Sequence, residues 1–146
     1  RRLKARMESE RIPRGTDPAL HLKLGPGGLA DVEWVAQLFQ LRHAYATPAL
    51  RTTRTLDALD AAVTAGLLAA ADRDVLASAW KLAARIRDAL MLVRGRPSDV
   101  VPTSPPELTA VARLMGYGPG ESQALLDDYR RAARRARSVM ERVFYG

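Results

Sequence analysis

A lysine, three glycines and two carboxylates crowd into one segment, Lys23-Leu24-Gly25-Pro26-Gly27-Gly28-Leu29-Ala30-Asp31-Val32-Glu33-Trp34. Glycines packed this closely ahead of a helix are costly unless the backbone must bend sharply or let something approach. Amides at a helix N-terminus attract anions, and Lys23 would add a point charge suited to a phosphate. Gly25-x-Gly27-Gly28 matches neither the Walker nor the dinucleotide fingerprint. On spacing alone, a glycine-rich turn into a helix, with Asp31 and Glu33 favouring the helix dipole, is the better account of it. The two carboxylates stand at i and i+2. On a strand they would share a face and could hold a metal together, whereas on a helix they diverge by about 200°. The residues after them have helical spacing, so this pair does not make a metal site by itself. One carboxylate can face a nucleotide or metal while the other orients Lys23 or an arginine; the spacing does not say which.

Other candidates are less pointed. Arg85 and Arg87, again at i and i+2, are candidate phosphate or partner contacts, with Arg85 placed to pair with Asp88 one turn on. Arg94 and Arg96 flank a helix C-terminus, where cations are favoured, and read as caps. His21 and His43 have no second ligand at metal spacing, so no metal site is expected and both read as structural or surface residues. Trp34 and Tyr45 read as core. The absence of cysteine excludes disulfides, thiolate zinc sites and a thiol nucleophile.

The elements that must position these residues follow from composition. Of 146 residues 47% are hydrophobic, enough for the core of one domain, and aromatic residues make up only 5% while alanine abounds. No apolar run reaches the ~18 residues of a membrane span and no signal peptide opens the chain, which gives the expectation of a soluble cytoplasmic domain with no membrane partner. The spacing predicts an all-α bundle of five or six helices, with the glycine-rich turn before the first long one. A basic helix is expected from Arg1 to about Glu10, then a loop through Pro13 and Pro18, and Leu20 to Leu24 alternates as a short extended strand would. Helices follow at about Leu29–Tyr45, Thr55–Ala65, Asp72–Arg94, Pro106–Met115 and Glu121–Phe144. Gly66, Gly95 with Pro97, and Gly116 to Gly120 stand at their breaks. The opening Arg1-Arg2-Leu3-Lys4-Ala5-Arg6 has no initiator Met or cap, which suggests a piece from the C-terminal end of a longer chain. Residues 1–18 are then the end of a preceding helix and a linker, and 19–146 the helical domain.

Taken together, Lys23-x-Gly25-x-Gly27-Gly28-Leu29-x-Asp31-Val32-Glu33-Trp34, with Gln37 and Leu41, resembles the K-x-G-x-G-G-[LI]-x-[DE]-[IV]-E-[FW] signature of the glutamine synthetase adenylyltransferases. That signature lies in the helical domain behind each nucleotidyltransferase domain, and a related domain occurs in PII uridylyltransferases, so the equivalent domain of a PII uridylyltransferase is the alternative that the resemblance allows. Leu50-Arg51-Thr52-Thr53, Arg85-Ile86-Arg87-Asp88, Arg94-Gly95-Arg96-Pro97-Ser98-Asp99 and Arg113-Leu114-Met115-Gly116-Tyr117 are similar to the segments that follow. Val143-Phe144-Tyr145-Gly146 resembles the tail of actinobacterial members. The resemblance implies a parent that transfers AMP from ATP to a tyrosine of glutamine synthetase, with this domain behind its C-terminal, adenylylating half. ATP and Mg²⁺ would be the parent's cofactors, and glutamine synthetase, the PII signalling protein and the adjacent nucleotidyltransferase domain its partners. The family's catalytic G-S-x-x-[DE]-x-D motif, whose carboxylates hold Mg²⁺ for in-line attack on the α-phosphate, has no match here. Asp72-Arg73-Asp74 has its carboxylate spacing but opens a helix and reads as a cap. The expectation is therefore an accessory domain, inactive and without bound cofactor alone. Lys23, Gly25, Gly27, Gly28, Asp31 and Glu33 would support the nucleotide site.

Two rival classes remain. The net charge is +7, from 23 Lys+Arg against 16 Asp+Glu, and Arg130, Arg131, Arg134, Arg135, Arg137 and Arg142 load the last helix. A basic helix is what a nucleic-acid-binding module would show. However, these arginines spread around the polar surface without interleaved aromatics, which an interface with an acidic partner explains as well. A plain spacer between catalytic halves would not need Lys23, Gly27 and Gly28 in that order.

Overall fold

Helix formers fill the stretches between the glycine and proline breaks, and a computed structural model, describing Arg6 and residues 11–146, folds them into five α-helices. These are α1 (Leu29–His43), α2 (Thr55–Thr64), α3 (Ala70–Arg94), α4 (Pro105–Leu114) and α5 (Ser122–Tyr145), with single 3₁₀ turns at Pro18–Leu20 and Pro48–Leu50. The all-α bundle follows the expectation from the sequence. The helix expected over Arg1 to Glu10 lies, Arg6 excepted, outside the described residues.

The two longest helices, α3 and α5, pack against each other as the spine, with α1 and α2 at one end and α4 at the other. One apolar cluster joins the C-terminal half of α3 (Ala83, Ile86, Leu90) to α4 (Leu108, Val111), the start of α5 (Leu125, Tyr129) and Leu20, Leu22 and Val101. A second joins α1 (Val32, Val35, Phe39) and α2 (Ala58, Leu59, Ala62) to Leu76 and Ala79 of α3 and Ala136 and Met140 of α5. Gly95 ends α3 in the left-handed conformation, φ +66°, its N–H donating to Met91 O. Proline opens α4, where its missing N–H costs nothing.

Several local readings are corrected. Leu20 to Leu24 is not a strand: after the 3₁₀ turn only His21 pairs, as an isolated antiparallel bridge with Val100. Leu20 and Leu22 alternate with their neighbours because they enter the core from successive turns rather than from a pleat. Tyr45 lies beyond α1 and is 95% exposed, so it is not core, and Trp34 is half-buried against Phe144. Asp72 does not cap α3, whose N-cap is Ala69. It stands in the first turn and accepts from Arg142 Nη2 of α5 at 2.5 Å. Arg94 does more than complement a helix end, because its guanidinium pairs with Glu107 of α4 and donates to Ser98 Oγ at 2.6 Å. That contact holds the Glu107 carboxyl below the usual range and raises Arg94. Among the described residues, no helix is long and apolar enough to cross a membrane.

Candidate functional site

The glycine segment is a tight loop wedged between the chain before it and α5. A Cβ on Gly25 would stand 2.1 Å from Pro18 O, on Gly28 2.6 Å from Leu22 O, and on Gly27 1.8 Å from Ala133 O. Gly27 also has φ +74°. The amides that could receive an anion are engaged by the chain itself. Leu29 N–H donates to Leu22 O at 2.8 Å, Ala30 N–H to Lys23 O at 2.9 Å and Gly28 N–H to Gly25 O at 2.9 Å. Asp31 takes Gly27 N–H on its Oδ2 at 2.7 Å. The helix start is thus sealed by backbone and carboxylate, and its side chains, rather than its amides, are left to meet a ligand.

Asp31 and Glu33 point to different places, as a helix requires of i and i+2. Asp31 is buried, 3% exposed, and turns toward α5, where Arg137 Nη1 lies 3.2 Å from its Oδ2. Arg137 also donates to Glu141 at 2.7 Å. Tyr129, buried beside this pair, has its phenol pushed up by desolvation and by the Asp31 charge.

Glu33 faces the opposite side and lines a solvent-open cleft of about 600 Å³ with Lys23, His21, Trp34, Gln37 and Asp99. Arg11 adds a second cation at the rim. Two distant stretches build this cleft: Leu22 N–H donates to Asp99 O at 2.6 Å and Val101 N–H to Leu20 O at 2.9 Å, closing residues 99–101 onto 20–22. His21 is 5% exposed, and its Nδ1 accepts the Leu24 N–H at 3.0 Å. The ring's free edge is therefore Nε2, which carries the proton when the imidazole is neutral. Burial lowers the His21 pKa, against the opposing pull of Asp99.

Arg85 and Arg87 are not brought together. Arg87 Nε lies 2.7 Å from Asp99 Oδ1 and so buttresses the cleft wall, whereas Arg85 is exposed and reaches Met115 O at 3.4 Å instead of Asp88. His21, read from the sequence as a structural or surface residue, is buried and structural, but its place beside Asp99 escaped that reading because their meeting depends on a long-range bridge with no local pattern, and Arg11 was not singled out at all. Lys23 and Arg11 suit a phosphate or another anion. The donor set does not suit a resident divalent cation: of the cleft's two carboxylates Asp99 is paired with Arg87, and no cluster of three metal-ligating side chains occurs among the described residues.

Residues 1–144 match the model of the family described as GlnD PII-uridylyltransferase. The chain is 60% identical over 146 residues to a bifunctional glutamine synthetase adenylyltransferase/adenylyl-removing enzyme of Streptomyces avermitilis, covering 100% of this chain and 15% of that protein. Proteins of the same description from Streptomyces coelicolor and Cutibacterium acnes are 61% and 54% identical over 145 residues, 99% of this chain in both cases and 14% and 15% of their own lengths. The chain therefore spans about 15% of the length of these relatives. With a family model matched from residue 1 to residue 144, this chain belongs to the GlnD PII-uridylyltransferase family.

Proposed function

We propose that the chain is the helical accessory domain of a glutamine synthetase adenylyltransferase, lying behind the adenylylating half and acting in the cytoplasm. Its cleft, with Lys23 and Glu33 on the wall, closes over the nucleotide held by the neighbouring transferase domain. The observation that carries this reading is that Lys23 and Glu33 share one open cleft while Asp31 is turned inward. Lys23 would meet a phosphate as a point charge. Glu33, unpaired in charge with the phosphate, would instead accept from a sugar hydroxyl or base amine or steady Lys23. Gly25, Gly27, Gly28 and Asp31 hold the loop that presents Lys23. Mg²⁺ and the carboxylates that bind it belong to the adjacent domain, so the chain alone transfers nothing. The remaining surface would help dock glutamine synthetase and PII.

The relatives are described as adenylyltransferases, which favours AMP transfer, while the family's description names PII uridylyltransferase, so the test reads both. Full-length parent, unmodified and with Lys23→Ala or Glu33→Gln, is assayed for transfer of α-labelled AMP to glutamine synthetase and of labelled UMP to PII. AMP transfer that falls at least tenfold in folded variants is the expected result. Transfer unchanged by both substitutions would reduce the cleft to scaffold. UMP transfer without AMP transfer would reassign the parent, and AMP transfer by the isolated chain would overturn the account of where the chemistry lies.

A further inference from the structure

A second recess opens on the other side of the glycine loop from the Lys23–Glu33 cleft. It has a volume of about 380 Å³ and is lined by Ala19 and Pro26 on one wall and by Arg130, Ala133, Arg134, Arg137 and Ser138 of α5 on the other. The arginines fall at i, i+4 and i+7 and so share one face of the helix. Arg137 is committed to Asp31 and Glu141. Arg130 and Arg134 have no ion pair among the described residues, and like charges at i and i+4 repel. The floor between them is apolar: Ala19, Pro26 and Ala133.

We propose that this recess docks an acidic segment of a partner protein, with an apolar side chain entering over Ala133 and flanking carboxylates meeting the Arg130 and Arg134 guanidiniums. Planar guanidinium forks take carboxylates in paired hydrogen bonds, and the partner's charge would relieve the repulsion along the face. The occupant follows from the pattern of charge and floor. A free phosphate would gain nothing from the alanine and proline floor. A nucleic-acid backbone needs a continuous basic track, and here the neighbouring arginines either sit near a carboxylate or lie off this face of the helix. Arg131 lies 3.9 Å from Asp128, Arg142 is held by Asp72, and Arg135 turns about 100° away from Arg134 to line a separate recess with Asp74. This docking is independent of the nucleotide cleft and would survive the failure of that reading.

The test uses the 146-residue chain labelled with ¹⁵N and a capped Glu-Glu-Leu-Glu-Glu-Leu peptide as probe. The arginine Nε–H signals of Arg130 and Arg134 should move on titration. Arg134→Glu, and separately Arg130→Gln, should weaken binding at least tenfold, while Arg113→Glu, at an exposed position of α4, should change it less than twofold. Circular dichroism checks that each variant is folded. Equal weakening by Arg113→Glu would show attraction to net charge alone. Stronger binding of a 12-base-pair DNA duplex, or an equal response to inorganic phosphate or to an all-glutamate peptide, would likewise overturn the proposal.

Discussion

Gly27 is the residue on which the loop turns, for two separable reasons. Its φ of +74° disfavours any side chain, and a Cβ would also collide with the carbonyl of Ala133 at 1.8 Å. Gly66, after α2, has φ +71° but open space around it. A left-handed conformation alone costs about 1–2 kcal/mol, so Gly66→Ala should lose about that much in urea denaturation. Gly27→Ala should lose more, above about 3 kcal/mol, because loop and α5 must separate. Equal losses would mean that the contact with α5 does not require the glycine. The sequence made the need for glycine legible without its cause. Three glycines before a helix can serve an anion site or a tight turn, and the position of Ala133, more than a hundred residues later, shows the close approach that requires Gly27. Asp31 poses the same difficulty, since its partner Arg137 lies on α5.

At the scale of elements, the helix bounds were readable because glycine and proline mark them: α3 stops at Gly95 and α4 opens on Pro105. The segment before α1 was not, because Leu20 and Leu22 alternate with their neighbours as a strand would, yet their backbone forms turns. Joined instead by the His21–Val100 bridge, this segment depends on a buried imidazole that accepts Leu24 N–H. Burial, outweighing the attraction of Asp99, lowers the folded pKa of His21 below its ordinary 6.5. The unfolded chain therefore takes up the proton first as pH falls, and stability present above pH 6.5 is lost below it. Melting temperature should hold between pH 7 and 8 and decline from about pH 6.5 downward. His21→Asn, whose amide oxygen can accept the same N–H, should decline less over that window. An undiminished slope in the variant would place the acid sensitivity in another group.

Across the whole molecule, the two apolar clusters raise the question of whether the bundle unfolds in one step or two. Each is large enough to suggest a unit of its own, one around α4 and the other around α1 and α2. Yet α3 and α5 run through both, contributing Ile86 and Leu125 to the first and Leu76 and Met140 to the second, and Trp80 packs against each. A helix cannot melt over half its length without exposing the apolar face that the other half shares, so the clusters should be lost together. Leu59→Ala in α2 and Leu125→Ala in α5 each empty a fully buried site in a different cluster, at a cost of about 2–5 kcal/mol. Both should lower the midpoint of the same calorimetric transition, with its van't Hoff and calorimetric enthalpies still equal. If Leu59→Ala split off an early transition and left a later one untouched, the α1–α2 end would be a separable unit. The Lys23–Glu33 cleft, built from α1 on one side and the α3–α4 connection on the other, would then lie across a mechanical boundary. One shared transition would instead place both walls of that cleft in a single cooperative unit.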